Sequence, residues 1–267
     1  MGFPGTWMTE SQSMIYRVVP KCACSTIGQI LYFSDHGHFF DGDIHDAQDG
    51  LHKWGFDRSQ KIIQKNVEAR TFAFTCVRNP YHRIVSSFFD KICAEQRNGR
   101  RYRENILPKM MRRYGVDLNS AHFDQIKAFR RFLLFARDTV RFRKPLDPDI
   151  HWSPISSHIG TFVANGGRFD TILHTENLKK GMTDVLQRIQ TPFIVDVTQV
   201  PRFNESTSNQ IKREHPVADF FDDLSTQMVW DMYKKDFLLF GYDRHDPSRK
   251  NAIRPLDINE IHAKLTH

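Results

Sequence analysis

The first segment of the sequence that could do chemistry is Pro20 to Thr26, which reads PKCACST. Lys21 brings an ammonium, and Ser25 and Thr26 bring hydroxyls, just before a stretch whose apolar residues have helical spacing. A helix N-terminus adds backbone N–H donors and a favourable dipole, so this combination predicts a site for a phosphate or sulfate. The glycines of a GxxxxGKS/T loop are missing and the lysine comes first, which disfavours a P-loop kinase. Such a kinase is kept as the enzyme alternative.

A second segment repeats this arrangement later in the chain. Arg78 directly follows the apolar run Thr71 to Val77, and Ser86 stands eight positions beyond it, inside another stretch of helical spacing. A guanidinium can bind a phosphate through two parallel hydrogen bonds, although a lone arginine is more often part of a surface ion pair. Two such loops together predict a ligand with two separated anionic groups.

The two loops need a sheet that holds them on one edge. The apolar runs Met14 to Val19 and Thr71 to Val77 predict buried strands, and each is followed by a helical pattern. Buried strands that alternate with helices indicate a parallel sheet, in which ligands bind beyond the carboxyl ends of the strands. Further strands are predicted at Phe169 to His174 and Phe193 to Val197, and further helices at about 123–143 and 224–237.

Length and composition predict one α/β domain with a central parallel sheet flanked by helices. The chain has 267 residues, of which 40% are hydrophobic, enough to fill the core of such a domain. We place the domain at residues 14–243, with a lead-in at 1–13 and a C-terminal tail at 244–267. A net charge of +7, from 38 basic and 31 acidic residues, favours anionic ligands without identifying one.

The cysteines and acidic residues do not predict a metal site. Cys22 and Cys24 are separated by a single residue, and no second pair stands at zinc-ligand spacing. Asp41-Gly-Asp43 begins like a calcium-binding loop, but the glycine at the sixth position is missing and His52 occupies the twelfth. We therefore expect no metal requirement.

Longer motifs resemble a known enzyme family. PKCACST and the fifteen positions from Val77 to Lys91, VRNPYHRIVSSFFDK, resemble the donor-binding motifs of carbohydrate sulfotransferases that use 3′-phosphoadenosine 5′-phosphosulfate (PAPS). The resemblance is to the chondroitin, dermatan and HNK-1 type and, more distantly, to the heparan sulfate 2-O and 6-O enzymes. Further matching segments follow in the family's order: His151 to Pro154, His174 to Leu178, Arg202 to Ser206, Tyr233 to Phe237 and Phe240 to Tyr242.

This resemblance implies a P-loop NTPase-like sulfotransferase fold, PAPS as the donor and a hydroxyl acceptor on a carbohydrate. It also implies that Lys21 stabilises negative charge on the leaving phosphate. The 5′-phosphosulfate loop would be Lys21, Cys22, Ala23, Cys24, Ser25 and Thr26. The 3′-phosphate would be held by Arg78 and Ser86, the nucleotide would be covered by Arg202 and Asn204, and the acceptor cleft would be lined by His151 and Trp152.

Transfer to an alcohol needs a base for the acceptor's proton, and a histidine suits that role near neutral pH. In the 2-O enzymes that the chain distantly resembles, the base precedes the 3′-phosphate strand. This resemblance implies His52 as the base and His45 as the second candidate. The alternative for both is a solvated loop histidine, and for His151 it is a structural corner beside Trp152.

The main alternative to an enzyme is a basic module that binds nucleic acid or an anionic glycan. Neither a zinc finger nor an RNP aromatic motif is present, so we expect no specific nucleic-acid partner. Basic residues between Arg97 and Arg113, together with Arg130, Arg131, Arg137, Arg141 and Arg143, predict either an acceptor groove for an acidic glycan or a solvated helix face.

Location is predicted from hydropathy and cysteine usage. No apolar run reaches the roughly 18 residues of a membrane span, and Ser156 and Ser157 stand where many luminal relatives have cysteines. Cysteine pairs are typical of oxidising compartments, so these features predict a cytoplasmic protein. A trimmed Golgi-luminal domain is the alternative, and the oligomeric state is not predicted.

Overall fold

The structure is a computed structural model that describes residues 5–45, 68–94, 102–118, 123–201 and 212–266. The chain divides into two compact units. The first comprises Met1–Arg78, Ile155–Asn204 and Leu256–His267, and the second comprises Asn79–Pro154 and Glu205–Pro255. Within the described ranges, the sheet belongs to the first unit and the second unit is helical.

The sheet of the first unit has the strand order β1-β2-β3-β4. The strands are β1 Thr6–Met8, β2 Met14–Arg17, β3 Phe72–Val77 and β4 Thr171–His174. β2, β3 and β4 are parallel neighbours, and β1 pairs antiparallel with β2. β2 is buried throughout and β3 nearly so, as expected for strands covered on both faces. The parallel register brings the carboxyl ends of β2, β3 and β4 to one edge of the sheet.

The α-helices of the described residues are α1 Cys24–His36, α2 Pro80–Ser87, α3 Leu107–Tyr114, α4 Gln125–Phe142, α5 Ile155–Ala164, α6 Leu178–Gln187, α7 Asp223–Phe240 and α8 Ile258–Thr266. The first unit contains α1, α5, α6 and α8. Helix α1 follows β2 and ends at Gly37, whose positive φ of 74° lets its N–H donate to the carbonyl of Phe33. Helix α8 packs on α5.

The second unit packs α2, α3, α4 and α7 around aromatic side chains. Asn79 caps α2, because its side chain accepts a hydrogen bond from the backbone N–H of Tyr81. The Phe132 ring lies 5.4 Å from the ring of Phe88 and 5.5 Å from that of Trp152. Burial of such large rings dominates the energetics of a core, and the edge-to-face contact between Phe132 and Trp152 adds to it.

The predicted α/β architecture is confirmed, and the strands predicted near Met14, Thr71 and Phe169 are present. β1 forms in the segment predicted as a lead-in, and α8 forms in the predicted tail. The strand predicted at Phe193 to Val197 is wrong. The Ile194 side chain is 94% exposed there, and the Phe193 N–H donates to the carbonyl of Ser34 in α1 rather than to a strand.

Candidate functional site

The loop between β2 and α1 has an unusual backbone. Lys21 and Ala23 both have a positive φ, of 65° and 59°, although neither is a glycine. Such conformations cost of order 1 kcal/mol or more each and concentrate at ligand sites, where the surrounding structure holds them. Ala23 is also the N-cap of α1 and makes no side-chain cap, and the first turn of the helix contains no acidic residue. The start of α1 is therefore suited to an anion.

This loop contacts the loop that follows β3. The Arg78 guanidinium donates a hydrogen bond from Nη1 to the carbonyl oxygen of Lys21, at 3.1 Å. Both side chains are half-buried. The contact arises because β2 and β3 are parallel neighbours that end at the same edge. Two basic residues and a helix N-terminus thus lie together in the first unit, as the sequence predicted. Their roles toward a ligand stay predictions.

The hydroxyls of the loop lie on the first turn of α1, and one of them contacts a histidine. Ser25 Oγ is 2.8 Å from His45 Nε2, and the Cys24 sulfur is 3.7 Å from the same nitrogen. Thr26 is half-buried on the same turn. His45, predicted as the second candidate for the base, therefore sits against the predicted donor loop, a contact that sequence reasoning missed.

The cysteines near this loop are packing groups rather than nucleophiles. Cys22 and Cys76 are buried, Cys24 is half-buried, and all are free thiols. Burial raises the pKa of Cys76 well above its usual range, and burial also raises that of Cys24 against the opposing charge of Lys21. A thiol with a raised pKa is protonated at neutral pH and reacts slowly. Backbone groups and the neighbouring hydroxyls are thus better suited than these thiols to contact an anion.

The end of β4 adds Thr175 and His174 to the same edge of the sheet. Sequence reasoning gave neither residue a role. Thr175 Oγ1 donates to the carbonyl of Val77 at 2.9 Å, which ties the end of β4 to the residue before Arg78. Burial lowers the pKa of His174 to about 4, so this imidazole is neutral at physiological pH. The sequence could have indicated that His174 lies at this edge, because His174 ends a predicted strand and that strand pairs with β3.

In the second unit, His151 is held by a buried carboxylate. Its Nδ1 lies 2.6 Å from Asp149 Oδ1, and the same oxygen accepts hydrogen bonds from the His151 backbone N–H and from the Tyr102 hydroxyl. Burial alone would raise the pKa of Asp149, but these hydrogen bonds and the charge of His151 lower it to about 2. The pairing fixes which His151 nitrogen faces the carboxylate, and sequence reasoning gave no role to Asp149.

Trp152 belongs to the core of the second unit. Its side chain is 1% exposed, and its Nε1 donates to the Thr139 hydroxyl at 3.0 Å. This burial does not favour a direct contact between Trp152 and an acceptor. Ser86, half-buried on α2, also lies in the second unit, and its assignment to the 3′-phosphate stays a prediction. The predicted residues His52, Arg202 and Asn204 lie outside the described residues.

The arginines of α4 and its C-cap residue Arg143 are engaged by neighbouring groups of the second unit. Arg130 pairs with Asp222 at 3.0 Å, and Arg131 donates to the carbonyl of Gly115. Three further pairs are Arg137 with Asp138, Arg141 with Asp231 and Arg143 with Asp147. Each of these ion pairs offsets a positive charge. This favours the interpretation that the arginines form a solvated helix face over the interpretation that they line a groove for an acidic glycan. In the part of the chain that the structure describes, no cluster of three metal-ligating side chains is present.

Comparison with known proteins decides the family. Residues 4–243 match the sequence profile of the Sulfotransferase family. The chain belongs to this family. Human carbohydrate sulfotransferase 10 is 26% identical over 70% of the chain and 51% of its own length. Carbohydrate sulfotransferase 10 of Xenopus laevis is 24% identical over 88% and 66%, and human carbohydrate sulfotransferase 8 is 24% identical over 89% and 55%. The chain thus spans about half the length of the first of these relatives. No solved structure matches it significantly.

These relatives correct the predicted location. The prediction of a cytoplasmic protein is wrong, because the matched proteins are carbohydrate sulfotransferases, which fit the Golgi-luminal alternative better. Within the described ranges, no helix of the chain has the length and apolar character needed to span a bilayer.

Proposed function

We propose that this chain transfers a sulfuryl group from PAPS to a hydroxyl of a carbohydrate. Its membership of the sulfotransferase family and its carbohydrate sulfotransferase relatives support the reaction type and the acceptor class. The single structural observation that carries the proposal is the hydrogen bond from Arg78 to the Lys21 carbonyl. It joins the two loops that a nucleotide with phosphates at both the 3′ and 5′ positions needs close together.

The residues of the first loop would bind the 5′-phosphosulfate. Backbone N–H groups at the start of α1 donate to its oxygens, and the hydroxyls of Ser25 and Thr26 add side-chain donors. The Lys21 ammonium compensates charge that develops on the leaving phosphate. Removal of one such donor typically lowers the rate of a transfer by about 100-fold or more. Arg78 binds the 3′-phosphate through its guanidinium, and the family resemblance adds Ser86.

The transfer itself is a displacement at sulfur. The acceptor oxygen forms a bond to sulfur while the bond between sulfur and the bridging 5′-phosphate oxygen breaks. The electron pair of that bond stays on the phosphate, which leaves as part of 3′-phosphoadenosine 5′-phosphate (PAP). The acceptor's proton passes to a general base, for which His52 is proposed. The chain's own groups bind the donor, align it with the acceptor and receive the proton.

The direct test is sulfuryl transfer from radiolabelled PAPS to a panel of glycans, with lipids and small alcohols included. We expect label on one or more glycans, and we expect Lys21→Ala to abolish most of the transfer. Lys180, an exposed lysine of α6 in the same unit, provides a matched control, because Lys180→Ala changes the net charge equally. A chain that labels no acceptor, or that transfers phosphate from ATP with magnesium instead, would overturn the proposal.

A further inference from the structure

His45 contacts the first turn of α1 through its side chain. Besides the 2.8 Å contact with Ser25 Oγ, its ring lies 5.4 Å from the ring of Trp7 in β1. Its backbone N–H donates to Asp43 Oδ1 at 2.9 Å, within the same turn. The imidazole is thus held between β1 and α1 and is half-buried. A side chain held in this way can orient the group that it touches.

The direction of the hydrogen bond between His45 and Ser25 decides what Ser25 can do. A serine hydroxyl has one hydrogen to donate, and the oxygens of a phosphosulfate can only accept. If Ser25 donates to His45, its oxygen presents lone pairs to the anion, and the two repel. If His45 Nε2–H donates to Ser25, the hydroxyl hydrogen points elsewhere and can bind the anion. Binding of an anion at this turn therefore favours the form of His45 with a hydrogen on Nε2, and that form in turn favours binding of the anion.

We propose that His45 is a positioning residue of the donor site: it donates from Nε2 to Ser25 Oγ and thereby turns the Ser25 hydroxyl toward the 5′ end of the nucleotide. The proposal rests on the proposed function, because it assumes that this turn binds the 5′-phosphosulfate. It assigns His45 a role different from that of a general base. A nitrogen that already donates its hydrogen to Ser25 has no lone pair with which to take the acceptor's proton.

The test compares two ligands that differ only at the 5′ end, PAP and adenosine 3′-phosphate, by calorimetric titration. We expect His45→Ala to weaken PAP binding by about 5- to 10-fold, the loss typical of one hydrogen bond between neutral groups, and to leave adenosine 3′-phosphate binding unchanged. His45→Gln retains an N–H donor of similar reach, so it should bind PAP within about 2-fold of wild type.

Two further variants separate positioning from a general effect on folding. Ser25→Ala should weaken PAP binding at least as much as His45→Ala does, because it removes the donor that His45 orients. The double variant should be no weaker than Ser25→Ala alone, because His45 acts on the ligand only through Ser25. His38→Ala, at an exposed histidine of the same segment, is the matched control and should leave both affinities unchanged.

Each outcome bears on a distinct statement. Equal losses for both ligands in His45→Ala, or a His45→Gln variant as weak as His45→Ala, would overturn the positioning role while the donor site stands. Wild-type protein that binds PAP no better than adenosine 3′-phosphate would overturn the proposed 5′ site itself. A preference for PAP that is reduced in His45→Ala and restored in His45→Gln would support both.

Discussion

The half-buried imidazole of His174 makes the stability of the first unit depend on pH. Burial lowers its pKa from 6.5 to about 4 in the folded protein, and unfolding returns it to about 6.5. Between these values the unfolded chain binds more protons than the folded one. The contribution of His174 to the free energy of unfolding is therefore fully present above pH 6.5 and is lost as the pH drops toward 4. The difference between these two pKa values corresponds to a loss of at most about 3 kcal/mol in the free energy of unfolding.

Urea unfolding between pH 7.5 and 4, followed by circular dichroism, measures this loss. Other titrating groups are common to wild type and His174→Asn, so the difference between their pH profiles isolates His174. We expect the variant to lose less free energy of unfolding than wild type over this range, by about 2 to 3 kcal/mol. His38→Asn, at an exposed histidine, should follow wild type. Parallel profiles for wild type and His174→Asn would refute the reasoning.

Two further predictions concern the second unit. An alanine Cβ at Gly241 would lie 2.7 Å from the Arg254 side chain, at a φ of 69°. Gly241→Ala should therefore destabilise by about 1 kcal/mol more than Gly166→Ala, where φ is also positive but nothing lies within 4 Å. Asp149→Asn weakens three hydrogen bonds and should cost about 2 kcal/mol or more, whereas Asp147→Asn breaks only an exposed ion pair and should cost less than about 1 kcal/mol. Thermal or urea unfolding checks both, and equal costs within either pair of variants would contradict the corresponding argument.

The parts of the fold that sequence reasoning predicted well are those with a strong local signal. β2 and β3 are near-continuous apolar runs that end at a proline or at a polar loop, and such runs are typical of strands buried on both faces. The segment Phe193 to Val197 has the same composition, yet it is not a strand. Apolar and β-branched composition shows that a segment can pair, but the pairing partner is a tertiary property that one segment does not contain.

The candidate site likewise contains contacts that the sequence could predict and contacts that it could not. The proximity of Lys21 and Arg78 could be predicted, because parallel strands place their carboxyl ends on one edge. The contact between His45 and Ser25 could not, because the segment before His45 has no periodicity that would predict where it returns to α1. The hydrogen bonds around Asp149 were missed for a related reason, since side-chain networks join positions far apart in the chain.

Calorimetric titration of PAP tests most directly whether the edge formed by the loops after β2 and β3 is a nucleotide site. We expect wild type to bind PAP, and we expect Lys21→Ala and Arg78→Ala each to weaken binding by about 10-fold or more. Lys180→Ala and Arg188→Ala, at exposed positions of the same unit, should bind as wild type does. Undiminished affinity in both Lys21→Ala and Arg78→Ala would contradict the account.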